Sequence, residues 1–231
     1  MKTLGILGGI GPESTVQYYK LIVAGYRARN PDGSFPPVLI NSIDMTRMLG
    51  LIGANQMKEV TKYLADEVNR LARAGAEVAL MAANTPHIVF HEIQERAHIP
   101  MLSIVQATCD AARQKGMTRL ALFGTRFTMQ GSFYPEVFSR HGVELVTPDK
   151  ADQDYIHDKY MRELVHGQFL DETRRHLLGI VDRLIDERQV QGLILGGTEL
   201  PLILTDESYR GIALLDTTRI HVERAVRSIL S

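Results

Sequence analysis

Cysteine is almost absent from this chain: 231 residues include one, Cys109. A lone cysteine excludes an internal disulfide and a cysteine-based metal cluster. An excess of charge of either sign is missing too. The 26 Lys and Arg are balanced by 27 Asp and Glu, for a formal net charge of −1. No block of five or more basic residues occurs, so nucleic acid is not an expected partner. No apolar run approaches the ~20 residues that a membrane-spanning helix needs. The opening MKTLGILGG is too short and too glycine-rich for a signal peptide and reads directly as a strand. The expectation is a soluble, cytoplasmic protein with neither a membrane nor a nucleic acid as partner.

What is present suffices for a packed core. The chain is 45% hydrophobic and 23% charged, enough for one large domain or two small ones. Short apolar runs alternate with longer amphipathic stretches. Candidate strands are 3–7, 38–43, 78–82, 101–104, 119–123, 143–146, 192–195 and 212–215. Several are apolar throughout rather than alternating, as in a parallel sheet covered on both faces. In the clearest helical stretch, Met57, Val60, Leu64, Val68 and Leu71 recur at spacings of three and four, with Gly75 as a stop. The alternation predicts an α/β fold with right-handed crossovers.

The two halves of the chain echo each other. GILGGIGPEST (5–15) follows the first strand, and LFGTRFTMQGSFY (122–134) ends and follows a strand of the second half. At closely similar intervals come AANTPH (82–87) and GGTELP (196–201). This pattern reads as a duplication: two similar lobes, each a mainly parallel sheet flanked by helices, related by a pseudo-twofold. Ligands of open α/β sheets bind at the carboxyl ends of strands. All four turns follow strands, so the expected site is a cleft between the lobes.

Each turn carries candidate chemistry. Gly11 followed by Pro12 fits a helix start, where the missing N–H of proline costs nothing. The N–H groups of Glu13, Ser14 and Thr15 would then offer an anion site. A plain strand-to-helix turn and a dinucleotide loop are the other readings, although the last glycine of GxGxxG is missing. Thr125 and Thr128 can donate hydroxyl bonds. Arg126 and Arg47 are each either a carboxylate clamp or a solvated surface charge. Asn84 and Thr85 are cleft ligands or helix caps. His87 is an acid–base candidate or a hydrogen-bonded structural histidine. With His91 it has the spacing of a metal pair, but no third ligand is evident and no metal is expected. Glu199 is a base, an orienting group, or a charge favoured at a helix N-terminus. Cys109, on an alanine-rich helix, reads as a small core residue.

Taken together, these turns resemble the aspartate/glutamate racemase family. The likeness covers nearly the whole chain. It rests on GGxGPEST at 8–15, AGAE…NTPH at 74–87, GTRxTM at 124–129, G-x-T-E at 196–199 and the closing LLDTTRIHVERAV at 214–226. The resemblance implies two α/β lobes with a C-terminal segment returning to the first. The domains would then be 1–98 plus 212–231, and 99–211. It also implies a homodimer and proton transfer at an amino-acid α-carbon with no cofactor, neither pyridoxal phosphate nor metal. The family uses two cysteines, one on each face of the α-carbon, one as thiolate and the other as thiol.

This chain departs there. The first cysteine position, just before Asn-Thr, is Ala83. The second, between Gly and Thr-Glu, is Gly197, which leaves that place open. Thr85 and Thr198 are weaker acids and would need a base, for which Glu13, His87 and Glu199 are the nearby candidates. The expected catalytic set is Thr85, Thr198, His87 and Glu199. The expected substrate-binding set is Gly11, Pro12, Ser14, Arg47, Asn84, Thr125, Arg126 and Thr128. The expected function is a racemase-type isomerase acting on aspartate, glutamate or a related small carboxylate. The alternatives are a lyase or isomerase of another dicarboxylate, and a protein that binds an acidic amino acid without turnover.

Overall fold

Each apolar run named above forms a strand in the computed structural model, which describes residues 1–231. The strands build two sheets, one in each of two compact units: residues 1–104 with 221–231, and residues 105–220.

In the first unit the elements run β1 (Leu4–Gly8), α1 (Pro12–Arg29), β2 (Val38–Ser42), α2 (Met45–Gly53), α3 (Met57–Arg73), β3 (Val78–Met81), a 3-10 turn (Thr85–Val89), α4 (Phe90–Arg96) and β4 (Met101–Leu102). The sheet order is β2-β1-β3-β4, all parallel, with Leu4 opposite both Val38 and Val78. The central strands β1 and β3 are buried along their whole length, as strands covered on both faces must be. The apolar stripe of α3 is buried as its spacing predicts, and Gly75 ends the helix at φ +102°. The expected strand 101–104 is shortened because Ile104 already begins the next helix.

The second unit contains α5 (Ile104–Gln114), β5 (Arg119–Gly124), α6 (Arg126–Gln130), α7 (Phe133–Ser139), β6 (Glu144–Val146), α8 (Lys150–Arg162), α9 (Asp171–Arg188), β7 (Gly192–Gly196), α10 (Leu200–Ile203), β8 (Ser208–Tyr209) and β9 (Ile212–Asp216). Its sheet order is β6-β5-β7-β9-β8. The first four strands repeat the order of the first sheet, and β8 is added antiparallel at the edge. Phe123, Leu193 and Leu195 pack against Ile156 and Tyr160 of α8 and Leu177, Ile180 and Val181 of α9. Cys109 is fully buried on α5.

The last helix, α11 (Thr217–Leu230), continues from β9. Its Val222, Ala225, Val226 and Ile229 pack with Leu4, Ile6, Tyr18 and Leu80 of the first unit, and Lys2 N–H donates to the Ile229 carbonyl at 3.0 Å. The C-terminal segment thus joins the first unit, but only from His221 onward. Residues 99–104, expected in the second lobe, lie in the first, where β4 pairs with β3, and residues 212–220, expected in the first lobe, lie in the second. The reason is that β9 pairs in parallel with β7, Leu193 opposite Leu214.

Candidate active site

The four turns follow the two central strands of each sheet. In the first unit, β1 and β3 end side by side, Leu7 opposite Met81. Gly9 sits at φ +76°, and a Cβ there would meet the Ile43 carbonyl oxygen at 2.3 Å, so only glycine makes this turn. Gly11 caps α1 and Pro12 opens it, as predicted. The Thr15 hydroxyl receives the Gly9 N–H at 2.9 Å and donates to the Gly11 carbonyl at 3.2 Å. The Thr15 N–H also donates to that carbonyl. It is therefore not part of an anion site, and the N–H groups of Glu13 and Ser14 are the ones left in the first turn. The Ser14 hydroxyl is buried and donates to the Ala82 carbonyl at 2.6 Å, tying the turn after β1 to the end of β3.

Asn84, Thr85 and His87 are all buried just beyond β3. The His87 ring stacks on Phe90, with centroids 5.1 Å apart. Its Nε2 accepts the Ile104 N–H at 3.2 Å, so the proton sits on Nδ1. Nδ1 faces the backbone of Ala83 and Asn84 without a well-aligned hydrogen bond. Burial first, and His221 second, push its pKa down to about 3. A neutral imidazole whose acceptor nitrogen is already engaged is a poor general base. This geometry favours the structural reading of His87.

Beside it lies a pair that the sequence did not single out. Tyr18 O–H donates to His221 Nδ1 at 2.9 Å, and His221 Nε2–H donates to the Leu102 carbonyl at 3.0 Å. Burial lowers the pKa of His221 to about 4. Arg47 lies on α2 with its guanidinium over the Tyr63 ring at 4.2 Å.

In the second unit, β5 and β7 end with Gly124 opposite Gly196. Thr125 caps α6: its side chain accepts from the Thr128 N–H at 3.3 Å, and the two hydroxyls are 3.3 Å apart. Arg126 points to the surface, where it pairs with Asp154 at 3.0 Å.

The densest chemistry lies after β7. Glu199 is 3% exposed. Its Oε2 accepts the Thr198 hydroxyl at 2.8 Å and also the Tyr160 hydroxyl, which reaches in from α8. Desolvation, then the Glu199 charge, raise the phenol well above its ordinary pKa, so Tyr160 is neutral. Position 197 is not open, contrary to the expectation from the sequence. A Cβ on Gly197 would fall 2.4 Å from Tyr160 Cε2 and 2.9 Å from the phenol oxygen. Sequence reasoning missed Tyr160 because it lies on a different helix, in DKYMRELVHG, where nothing local marks it.

The sequence model of the Asp/Glu/hydantoin racemase family matches residues 7–225. The broad specificity amino-acid racemase RacX of Bacillus subtilis (strain 168) is 29% identical over 155 residues, 65% of this chain and 66% of its own length. Among solved structures, a candidate Asp/Glu racemase from Yersinia pestis matches with a TM-score of 0.90 at 30% identity, over 100% of both chains. An aspartate racemase homologue from Pyrococcus horikoshii OT3 matches with a TM-score of 0.85 at 29% identity, again over 100% of both chains.

Proposed function

We propose, from the premise that the chain belongs to the Asp/Glu/hydantoin racemase family, that it is an isomerase of small amino acids or related carboxylates, working by α-proton transfer without a cofactor. The observation that carries this reading is Glu199. It is a buried carboxylate beside the second cysteine position, with two hydroxyls directed at it. A carboxylate so placed serves as a general base where no thiol is present. Thr198 orients it. Gly11, Ser14, Asn84 and Thr85 of the first unit and Thr125 and Thr128 of the second are turn donors of the kind that recognises carboxylates, and Pro12, which has no N–H, sets the helix start beside Gly11. Aspartate and glutamate are the first substrates to offer.

A second reading, a lyase, another isomerase or a binder of a dicarboxylate, draws on Ala83 and Gly197. Neither residue has a side chain that can move a proton, and the usual two-thiol exchange is therefore impossible in this chain.

The test is proton NMR in D2O with L- and D-aspartate, L- and D-glutamate and a panel of small dicarboxylates. Loss of the α-proton signal, with the other enantiomer appearing on a chiral column, is the expected result. Thermal stabilisation by one ligand without any exchange would instead favour the binder. The absence of both exchange and binding across the panel would refute the isomerase reading for these substrates.

A further inference from the structure

We propose that Tyr160 is the proton-transfer group at the second cysteine position, its phenol standing where the thiol would stand and Glu199 receiving and returning the phenol's proton. This inference rests on the isomerase reading above and adds to it the atom that meets the substrate.

Three observations support it. First, the phenol oxygen lies 2.9 Å from the Cβ that a residue at 197 would carry. A cysteine's sulfur is one bond from that Cβ, so phenol and thiol would compete for the same space. Gly197 is thus the residue that admits Tyr160 to the strand end. Second, the hydroxyl is held there by Glu199, which is oriented in turn by Thr198. This is the arrangement of an acid–base group, a partner and an orienter. Third, Tyr160 is 6% exposed and its ring is packed in the core of the second unit, which fixes the hydroxyl.

A phenol alone is a poor base at neutral pH, since its conjugate acid is far too strong. The pair avoids that state. As the substrate C–H bond breaks, its electron pair stays on the α-carbon and spreads into the substrate carboxylate. The proton forms a new O–H bond on Tyr160. The phenol's original proton passes to Glu199 Oε2, and Glu199 becomes a carboxylic acid. The phenol is neutral before and after. Running the relay backward returns a proton to carbon and restores the Glu199 carboxylate. Position 83 is alanine, so the chain carries such a relay at one of its two cysteine positions. Wash-out of the α-proton from one enantiomer is therefore expected to outrun inversion.

The experiment compares full-length wild type, Tyr160→Phe and Glu199→Gln in the D2O exchange assay, with thermal melting as a check on folding. A second substitution places a fluorinated tyrosine at 160, which keeps ring and hydroxyl but makes the phenol more acidic. Tyr160→Phe is expected to lower exchange about 100-fold or more with KM little changed, and Glu199→Gln to do the same. The fluorinated residue is expected to shift the pH profile of exchange. Wild-type exchange that survives Tyr160→Phe within about threefold, or a pH profile unmoved by fluorination, overturns the role of Tyr160 and leaves the isomerase reading standing. No exchange by the wild type with any substrate overturns both.

Discussion

Replacing Gly197 by alanine is a one-atom test of the packing at the end of β7. The backbone there is outside the left-handed region, so alanine meets no conformational penalty. At such a site the substitution ordinarily stabilises, by about 0.4–1 kcal/mol, because the unfolded chain loses freedom. The structure reverses the sign. The new methyl falls 2.4 Å from Tyr160 Cε2, well inside van der Waals contact, and the ring is enclosed in the core with little room to retreat. Overpacking of this kind costs about 1–3 kcal/mol, so the net expectation is a loss of about 1–2 kcal/mol. With a urea slope of about 2 kcal/mol/M, the midpoint would fall by about 0.5–1 M. In a Tyr160→Leu background the clash is gone, and the same change should be neutral or stabilising. The cycle of four proteins therefore gives a coupling of opposite sign to its single-site term. Urea unfolding followed by circular dichroism reads it. A Gly197→Ala protein as stable as wild type in both backgrounds would refute the claim that Tyr160 occupies this space.

Other outcomes follow from the same geometry. Ser14→Ala removes the buried donor to the Ala82 carbonyl and should cost about 1–3 kcal/mol by chemical denaturation; no measurable cost would mean the two turns are not tied by this bond. Arg126→Ala, at an exposed ion pair with Asp154, should change stability by less than about 1 kcal/mol and leave substrate KM nearly unchanged; a large rise in KM would instead make it a carboxylate clamp. His87 and His221 have pKa values lowered to about 3 and about 4, below the unfolded value of about 6.5. The unfolded chain then binds protons first, so both histidines take stability away as pH falls below about 6.5, and neither acts above it. Each adds a slope of about 1.4 kcal/mol per pH unit. His87→Gln should flatten the dependence of the urea midpoint between pH 6 and 4, and an unchanged slope would show that the imidazole is accessible.

Local physics made much of the fold legible. Strands apolar along their whole length, such as LGILG and GLILG, had to be covered on both faces, and β1 and β7 are. Gly11-Pro12 marked a helix start, and Gly75 a helix stop. The repeat of turns in the two halves corresponds to the repeat of strand order. Partner choice was less legible. The run 212–215 is plainly a strand, but its sequence does not say which sheet it joins, and pairing with β7 puts it in the second unit. The edge strand β8 was missed because its hairpin turns through Arg210 and Gly211, both at positive φ. Arg-Gly is a weak signal beside the Asn-Gly or Asp-Gly that usually marks such a turn.

The site divides along the same line. Motif positions such as Gly11, Thr125 and Glu199 are set by their own short segments, and each is found at the end of the strand expected. What fills the gap at 197 is not set locally. A glycine in a motif reads as a loss when only its own position is considered. Within the fold it is an admission, because the side chain absent just beyond β7 is matched by a ring supplied from α8, dozens of residues earlier. Close packing makes such exchanges the rule, since a void at a strand end costs contact energy that a neighbouring side chain recovers by moving in. The choice between an active isomerase and a retired one therefore does not turn on Ala83 and Gly197 alone. That decision belongs to the phenol and the carboxylate that now face each other beside position 197.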